Sequence, residues 1–193
     1  FSRCAVQQQP MGGPKDTLPP VVLGMQPETY STNFNSKRVL VYFDEYVQLK
    51  ELTKEMYTSP FMKKKPTVTL KGKGIQIDIH DTLIENQTYS INFGNSVADN
   101  NEGNPLSGLR YVFSTGDEID SMVMSGYTVD AMTNDTVPKT FLLFYMADKD
   151  SIPQYDSTMF NHKPDAVGRG ENNGIFFTQN LKPIPYRVYA LLD

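Results

Sequence analysis

Thr67-Val68-Thr69-Leu70-Lys71-Gly72-Lys73-Gly74-Ile75-Gln76-Ile77-Asp78-Ile79 is the stretch that decides the fold. Ile75, Ile77 and Ile79 recur with period two while Gln76 and Asp78 fill the alternate positions, the pattern of a strand with one buried and one solvated face. Lys71-Gly72-Lys73-Gly74 joins this run to the β-branched Thr67–Lys71, and glycine accepts the positive φ that tight hairpins require. The stretch therefore predicts an antiparallel hairpin. Similar short runs recur on both sides at intervals of about 8 to 12 residues, the spacing of an all-β sandwich.

Before and after the hairpin, strands are predicted at Val21–Met25, Arg38–Phe43, Thr88–Phe93 and Arg110–Ser114. Leu49, Leu52 and Met56 fall on one side of a helical turn, so Leu49–Met56 is predicted as a crossover helix, with a second helical turn at Asp81–Asn86. Ser114-Thr115-Gly116 closes this set, and the acidic, apolar-poor Asp117–Asp120 marks a domain boundary. A second β set follows at Met122–Asp130, Thr140–Met146, Ile175–Thr178 and Tyr186–Leu192, with turns at Asn134-Asp135 and Leu181-Lys182-Pro183. The expected organisation is two tandem β-sandwich domains, residues 21–116 and 120–193, behind a segment of residues 1–20. Because Asp193 directly follows an apolar strand, further sequence is expected beyond it.

Composition narrows the function classes. With 39% hydrophobic residues, 13 Gly and 13 Pro in 193, the chain is neither collagen-like nor disordered. The 18 Lys and Arg against 22 Asp and Glu give a net charge of −4, which offers no footprint for a phosphate backbone, so nucleic acid is not an expected partner. Lys63-Lys64-Lys65-Pro66, the one basic cluster, reads as a solvated strand edge or turn. No run approaches the roughly 20 apolar residues that span a bilayer. Ala5–Pro20, rich in Gln, Gly and Pro, reads as an extended spacer. Ahead of it stands the only cysteine, Cys4, which is open to three readings: a free thiol, an intermolecular disulfide, or a lipid-bearing residue at the end of a processed signal peptide.

Catalytic and metal-binding signals are weak. His80 and His162 have no serine, cysteine or carboxylate pattern beside them that spells a nucleophile or metal site. Asp99-Asn100-Asn101-Glu102-Gly103-Asn104 is dense in oxygen ligands, but Gly103 falls at the fifth position and Arg110 at the twelfth, the wrong register for an EF-hand, so a plain turn is expected. Gly168, Gly170 and Gly174 precede a strand instead of opening a helix, so no phosphate loop and no cofactor are expected. From Ala147 to Glu171 no strand pattern is visible, and Ile152, Tyr155, Met159 and Phe160 place large apolar groups in a polar stretch. They read either as a partner-contact surface or as a cover for the open edge of the second sandwich.

Cys4, Gly12-Gly13-Pro14-Lys15-Asp16 and Pro19-Pro20 resemble the start of Bacteroidetes-type lipoproteins that carry a bacterial Ig-like domain. The resemblance continues through Ser31-Thr32-Asn33-Phe34, Phe43-Asp44-Glu45-Tyr46-Val47, Ser59-Pro60, Asn86-Gln87-Thr88-Tyr89, Phe93-Gly94-Asn95-Ser96, Asp99 to Pro105 and Val112-Phe113-Ser114-Thr115-Gly116. The second part is similar to a carboxypeptidase-regulatory-like, transthyretin-type sandwich in Ser125-Gly126, Asp130-Ala131, Asn172 to Phe176, Leu181-Lys182-Pro183 and Tyr186 to Ala190. The resemblance implies that Cys4 is the acylated residue of an outer-membrane lipoprotein, on either the periplasmic or the cell-surface face. It implies a non-enzymatic structural and docking subunit of a larger cell-envelope assembly, with an outer-membrane β-barrel protein or its assembly or transport machinery as partner. The alternative is a surface glycan-binding or adhesin module, although the chain has no Trp to serve as a sugar platform.

Overall fold

The computed structural model describes residues 13, 15–147 and 162–192. In chain order the first part forms β1 (Val22–Gln26), β2 (Arg38–Phe43), β3 (Val47–Leu49), the single-turn helix α1 (Leu52–Glu55), β4 (Tyr57–Ser59), β5 (Thr67–Leu70), β6 (Gly74–Asp78), β7 (Thr88–Asn92), β8 (Val97–Asp99) and β9 (Arg110–Ser114). The second forms β10 (Met122–Tyr127), β11 (Phe141–Met146), β12 (Ala166–Arg169), β13 (Ile175–Leu181) and β14 (Tyr186–Leu191). The sheets run β1-β2-β6-β5, β4-β7-β9 and β3-β8, then β12-β11-β14 and β10-β13, and no strand of β1–β9 pairs with one of β10–β14.

The predicted hairpin is β5–β6, registered from Thr67 opposite Asp78 to Leu70 opposite Ile75. Gly72 takes φ 60°, and the Lys71 amide donates to the Gly74 carbonyl at 2.9 Å. Gly74 is required for a different reason: a Cβ there would collide with the Val41 carbonyl of β2. On the far side of β6, β2 sets Val39 opposite Ile77 and Val41 opposite Ile75, so all four side chains enter the core. Each such aliphatic side chain contributes about 1.5–3 kcal/mol on burial. The polar alternates face water, where Arg38 Nε meets Asp78 Oδ1 at 2.8 Å.

Opposite this sheet, β7 and β9 supply Tyr89, Ile91, Tyr111 and Phe113, and the aromatic rings interlock. Phe34 lies 4.1 Å from Phe113 between ring centroids, and Tyr89 stacks on Phe113 at 5.4 Å. Burial pushes the Tyr111 phenol up to about 12. Seventeen buried residues, from Phe34 to Phe113, form one continuous core between the layers.

Several predicted elements differ from the observed ones. Instead of a helix over Leu49–Met56, a single turn at Leu52–Glu55 separates two short strands. Leu49 pairs with Val97, and the Glu51 backbone at φ 44° breaks any continuous helix. Asp81–Asn86 holds no helix; it is an irregular segment with a turn at Glu85 and Asn86, the latter at φ 52°. Strand β12 lies inside the stretch expected to lack strands. β13 runs on to Leu181, and β10 stops at Tyr127. The chain is tied to the fold before Pro20, since Asn104 Nδ2 donates to the carbonyls of Asp16 and Leu18, both at 3.2 Å.

The second set buries far less. Its core is Leu142, Phe144, Ala166 and Leu181, closed by Met124, Phe176 and Tyr186. Gly168 of β12 allows β13 to approach, because a Cβ there would collide with the Thr178 hydroxyl. The β12-β11-β14 sheet is apolar on its other face too, with Phe141, Leu143, Val167 and Leu191 turned toward the first sandwich. The seam is fastened along β12: the Val167 amide donates to Ser59 Oγ at 2.9 Å, and Arg169 Nη1 reaches Glu55 Oε2 at 3.5 Å. Arg169 also lies over the Phe141 ring at 5.1 Å.

Candidate functional site

Cys4, Ile152, Tyr155, Met159 and Phe160, the residues singled out from sequence for lipidation and partner contact, lie outside the described residues. The Asp99–Asn104 loop is described in full. Asp99 Oδ1 accepts from the amides of Asn101 at 2.8 Å, Glu102 at 2.7 Å and Gly103 at 3.1 Å, while Oδ2 accepts from Asn104 at 2.7 Å. Burial would by itself raise this carboxyl, but the converging amides hold it at about 2. The carboxylate is committed to closing its own loop, as expected of a turn. His80 Nε2 sits 2.9 Å from Thr67 Oγ1 at the strand edge.

The feature that stands out is the β10–β13 ribbon. Met124, Gly126, Phe176 and Thr178 point inward, and Gly126 makes room for the Phe176 ring directly across from it. The alternation that sends these side chains inward turns Val123, Ser125, Tyr127, Ile175 and Phe177 outward. Tyr127 stands opposite Ile175, and Ser125 opposite Phe177. Tyr127 is 70% exposed, Phe177 58%, Ile175 49% and Val123 44%. Past the strand, Asp130 Oδ1 accepts from the Met132 and Thr133 amides at 2.8 and 3.0 Å, shaping a turn that leaves Met132 93% exposed. Those amides, Thr133's first, also lower the Asp130 carboxyl below the usual range.

β10 is an edge strand, paired only with β13 among the described residues, and Met122–Tyr127 contains no charge and no proline. A bare, uncharged edge beside an outward apolar face is what another strand or apolar surface can dock against. Sequence reasoning singled out Ile152, Tyr155, Met159 and Phe160 as a contact surface and did not single out this face. The signal was nevertheless present: Ile175-Phe176-Phe177 and Met122-Val123-Met124 are apolar on consecutive positions, so each strand asks for cover on both faces.

Comparison with known proteins bears on the first sandwich. Residues 16–115 match the family model described as bacterial Ig-like domain. The N-terminal part of the bacterial S-layer protein SbsC aligns over 91% of this chain and 45% of its own, at 15% identity and a TM-score of 0.33. The chain thus spans less than half of that structure. A longer SbsC structure aligns at 14% identity and a TM-score of 0.32, covering 91% of this chain and 26% of that one. BcpA, the major pilin subunit of Bacillus cereus, aligns at 12% identity and a TM-score of 0.26, covering 89% and 58%. No curated protein matches the chain.

Proposed function

The chain belongs to the bacterial Ig-like domain family, and from that premise we propose that it is a non-enzymatic structural and docking module of the bacterial cell envelope. The observation that carries the reading is the outward face of β10–β13, where Val123, Tyr127, Ile175 and Phe177 stand in water beside an unguarded edge strand. The first sandwich supplies a rigid body, and the second presents the surface. In the same proposal Cys4 is acylated and retains the protein at the outer membrane, residues 120–193 are a carboxypeptidase-regulatory-like sandwich, and the partner is an outer-membrane β-barrel protein or its machinery. Two or more acyl chains on one cysteine anchor firmly, at about 0.8 kcal/mol per buried methylene. The glycan-binding alternative draws less support, because the most exposed groups of this face, Tyr127, Phe177, Ile175 and Val123, are mainly apolar.

The reading is tested with a photo-reactive residue at position 177 of the full-length protein in intact cells. One discrete adduct to an outer-membrane β-barrel protein is expected, abolished by Val123→Lys, with none from position 42, which lies on the exposed face of the first sandwich. Equal adduct yields from positions 42 and 177, or none from 177, would overturn it.

A further inference from the structure

Away from the ribbon, the seam between the sandwiches opens into a cleft of about 850 Å³ where β11 and β14 diverge from the first sandwich. That volume falls within the roughly 300–1,000 Å³ of small-molecule sites. Its lining is mostly apolar, with Met56, Met62, Leu143, Val167 and Leu191 beside the rings of Tyr57, Phe61 and Phe141. Methionine side chains adapt to irregular shapes, and Met, Leu and Val together offer an alkyl chain dispersion contacts along the cleft.

The rim has one sign of charge. Lys54, Lys65 and Lys163 line the cleft, and no Asp or Glu does among the described residues, in a chain whose net charge is −4. Lys54 is partly answered by Glu51, 3.6 Å away. Lys65 and Lys163 have no carboxylate within ion-pair distance among the described residues, and Lys163 Nζ rests 5.6 Å from the centre of the Phe61 ring. An apolar trough edged by Lys65 and Lys163, which pair with no carboxylate among the described residues, is complementary to a ligand with an apolar body and an anionic head.

We propose that this cleft binds a single-chain carboxylate amphiphile, a fatty-acid-like molecule, with its chain laid between Met62 and Leu143 and its carboxylate at Lys65 and Lys163. The site is independent of the docking face, which lies on the opposite side of the second sandwich's core from the seam.

The test is a fluorescence titration of the full chain with 11-(dansylamino)undecanoic acid, with competition by laurate and by uncharged dodecanol. Saturable one-site binding is expected, displaced by laurate and at least tenfold less well by dodecanol. The double variant Lys65→Gln/Lys163→Gln should weaken probe binding about tenfold. Leu191→Trp, at a half-exposed position on the cleft wall, should block it while leaving the circular dichroism spectrum unchanged. Phe177→Ser, on the docking face, should bind as the parent does, so this result and the crosslinking result fail separately. Absence of saturable binding, indifference to both cleft variants, or equal competition by dodecanol and laurate overturns the proposal.

Discussion

The edge strands β5 and β10 occupy comparable positions in their sheets and have opposite characters. β5 is preceded by Lys63-Lys64-Lys65-Pro66 and followed by Lys71, so a strand approaching it meets charge and a missing donor. β10 carries Met122-Val123-Met124-Ser125-Gly126-Tyr127 with neither device. The cores behind them differ in the same sense, with seventeen buried residues in the first sandwich's cluster and four in that of the second. In the first sandwich, where most apolar side chains are enclosed by the chain itself, the β5 edge is guarded. Where they outnumber what five strands can enclose, they face outward beside an open edge.

The largest effect expected is the contrast between two phenylalanines. Phe113→Ala removes a ring that is 0% exposed and packed between Phe34 and Tyr89, and should cost about 3–5 kcal/mol in urea unfolding. Phe177→Ala should change stability by no more than about 0.5 kcal/mol. Similar costs at both sites would break the comparison, because the ribbon face would then be packed within the chain.

Gly168→Ala should destabilise by about 1–3 kcal/mol, since the new methyl group collides with Thr178 across the small second core. Thr178→Ala in the same chain should restore most of the loss. Failure of that rescue would mean that β12 and β13 do not meet as described.

A subtler difference lies in pH dependence. Asp99 has its folded carboxyl lowered to about 2, so its contribution is present above the unfolded value of about 3.9 and is lost as pH falls through 2. Stability of the first sandwich should therefore fall between about pH 4 and 2, and Asp99→Asn should flatten that part of the profile. An unchanged slope in an acid-unfolding series would show that the loop does not hold the carboxylate as charged.

How much was legible in the sequence follows from side-chain spacing. The run at 38–43 was readable because its burial alternates, the hairpin at 67–79 because Ile75, Ile77 and Ile79 recur with period two, and 110–114 because β-branched and aromatic residues sit between turn residues. The three-residue strands β3, β4 and β8 are too short to show a period. Leu49, Leu52 and Met56 satisfy helical spacing although the chain there is strand, turn and strand, because a sharp turn also returns such residues to one core. β12 was hidden by Gly168, which removes a side chain from a four-residue alternation. The exposed face of β10–β13 is less legible for a different reason: consecutive apolar residues in 122–127 and 175–177 spell strands without showing which half of each run points away from the core.

The central claim is that the second sandwich carries an apolar face completed only by a partner. Hydroxyl-radical footprinting of Tyr127 and Phe177, in the purified chain and in native cell envelopes, tests it most directly. The account predicts rapid oxidation of both rings in the purified chain and strong protection in the envelope, with Tyr42 reactive in both. Equal reactivity in the two settings, or protection already present in the purified chain, would contradict it.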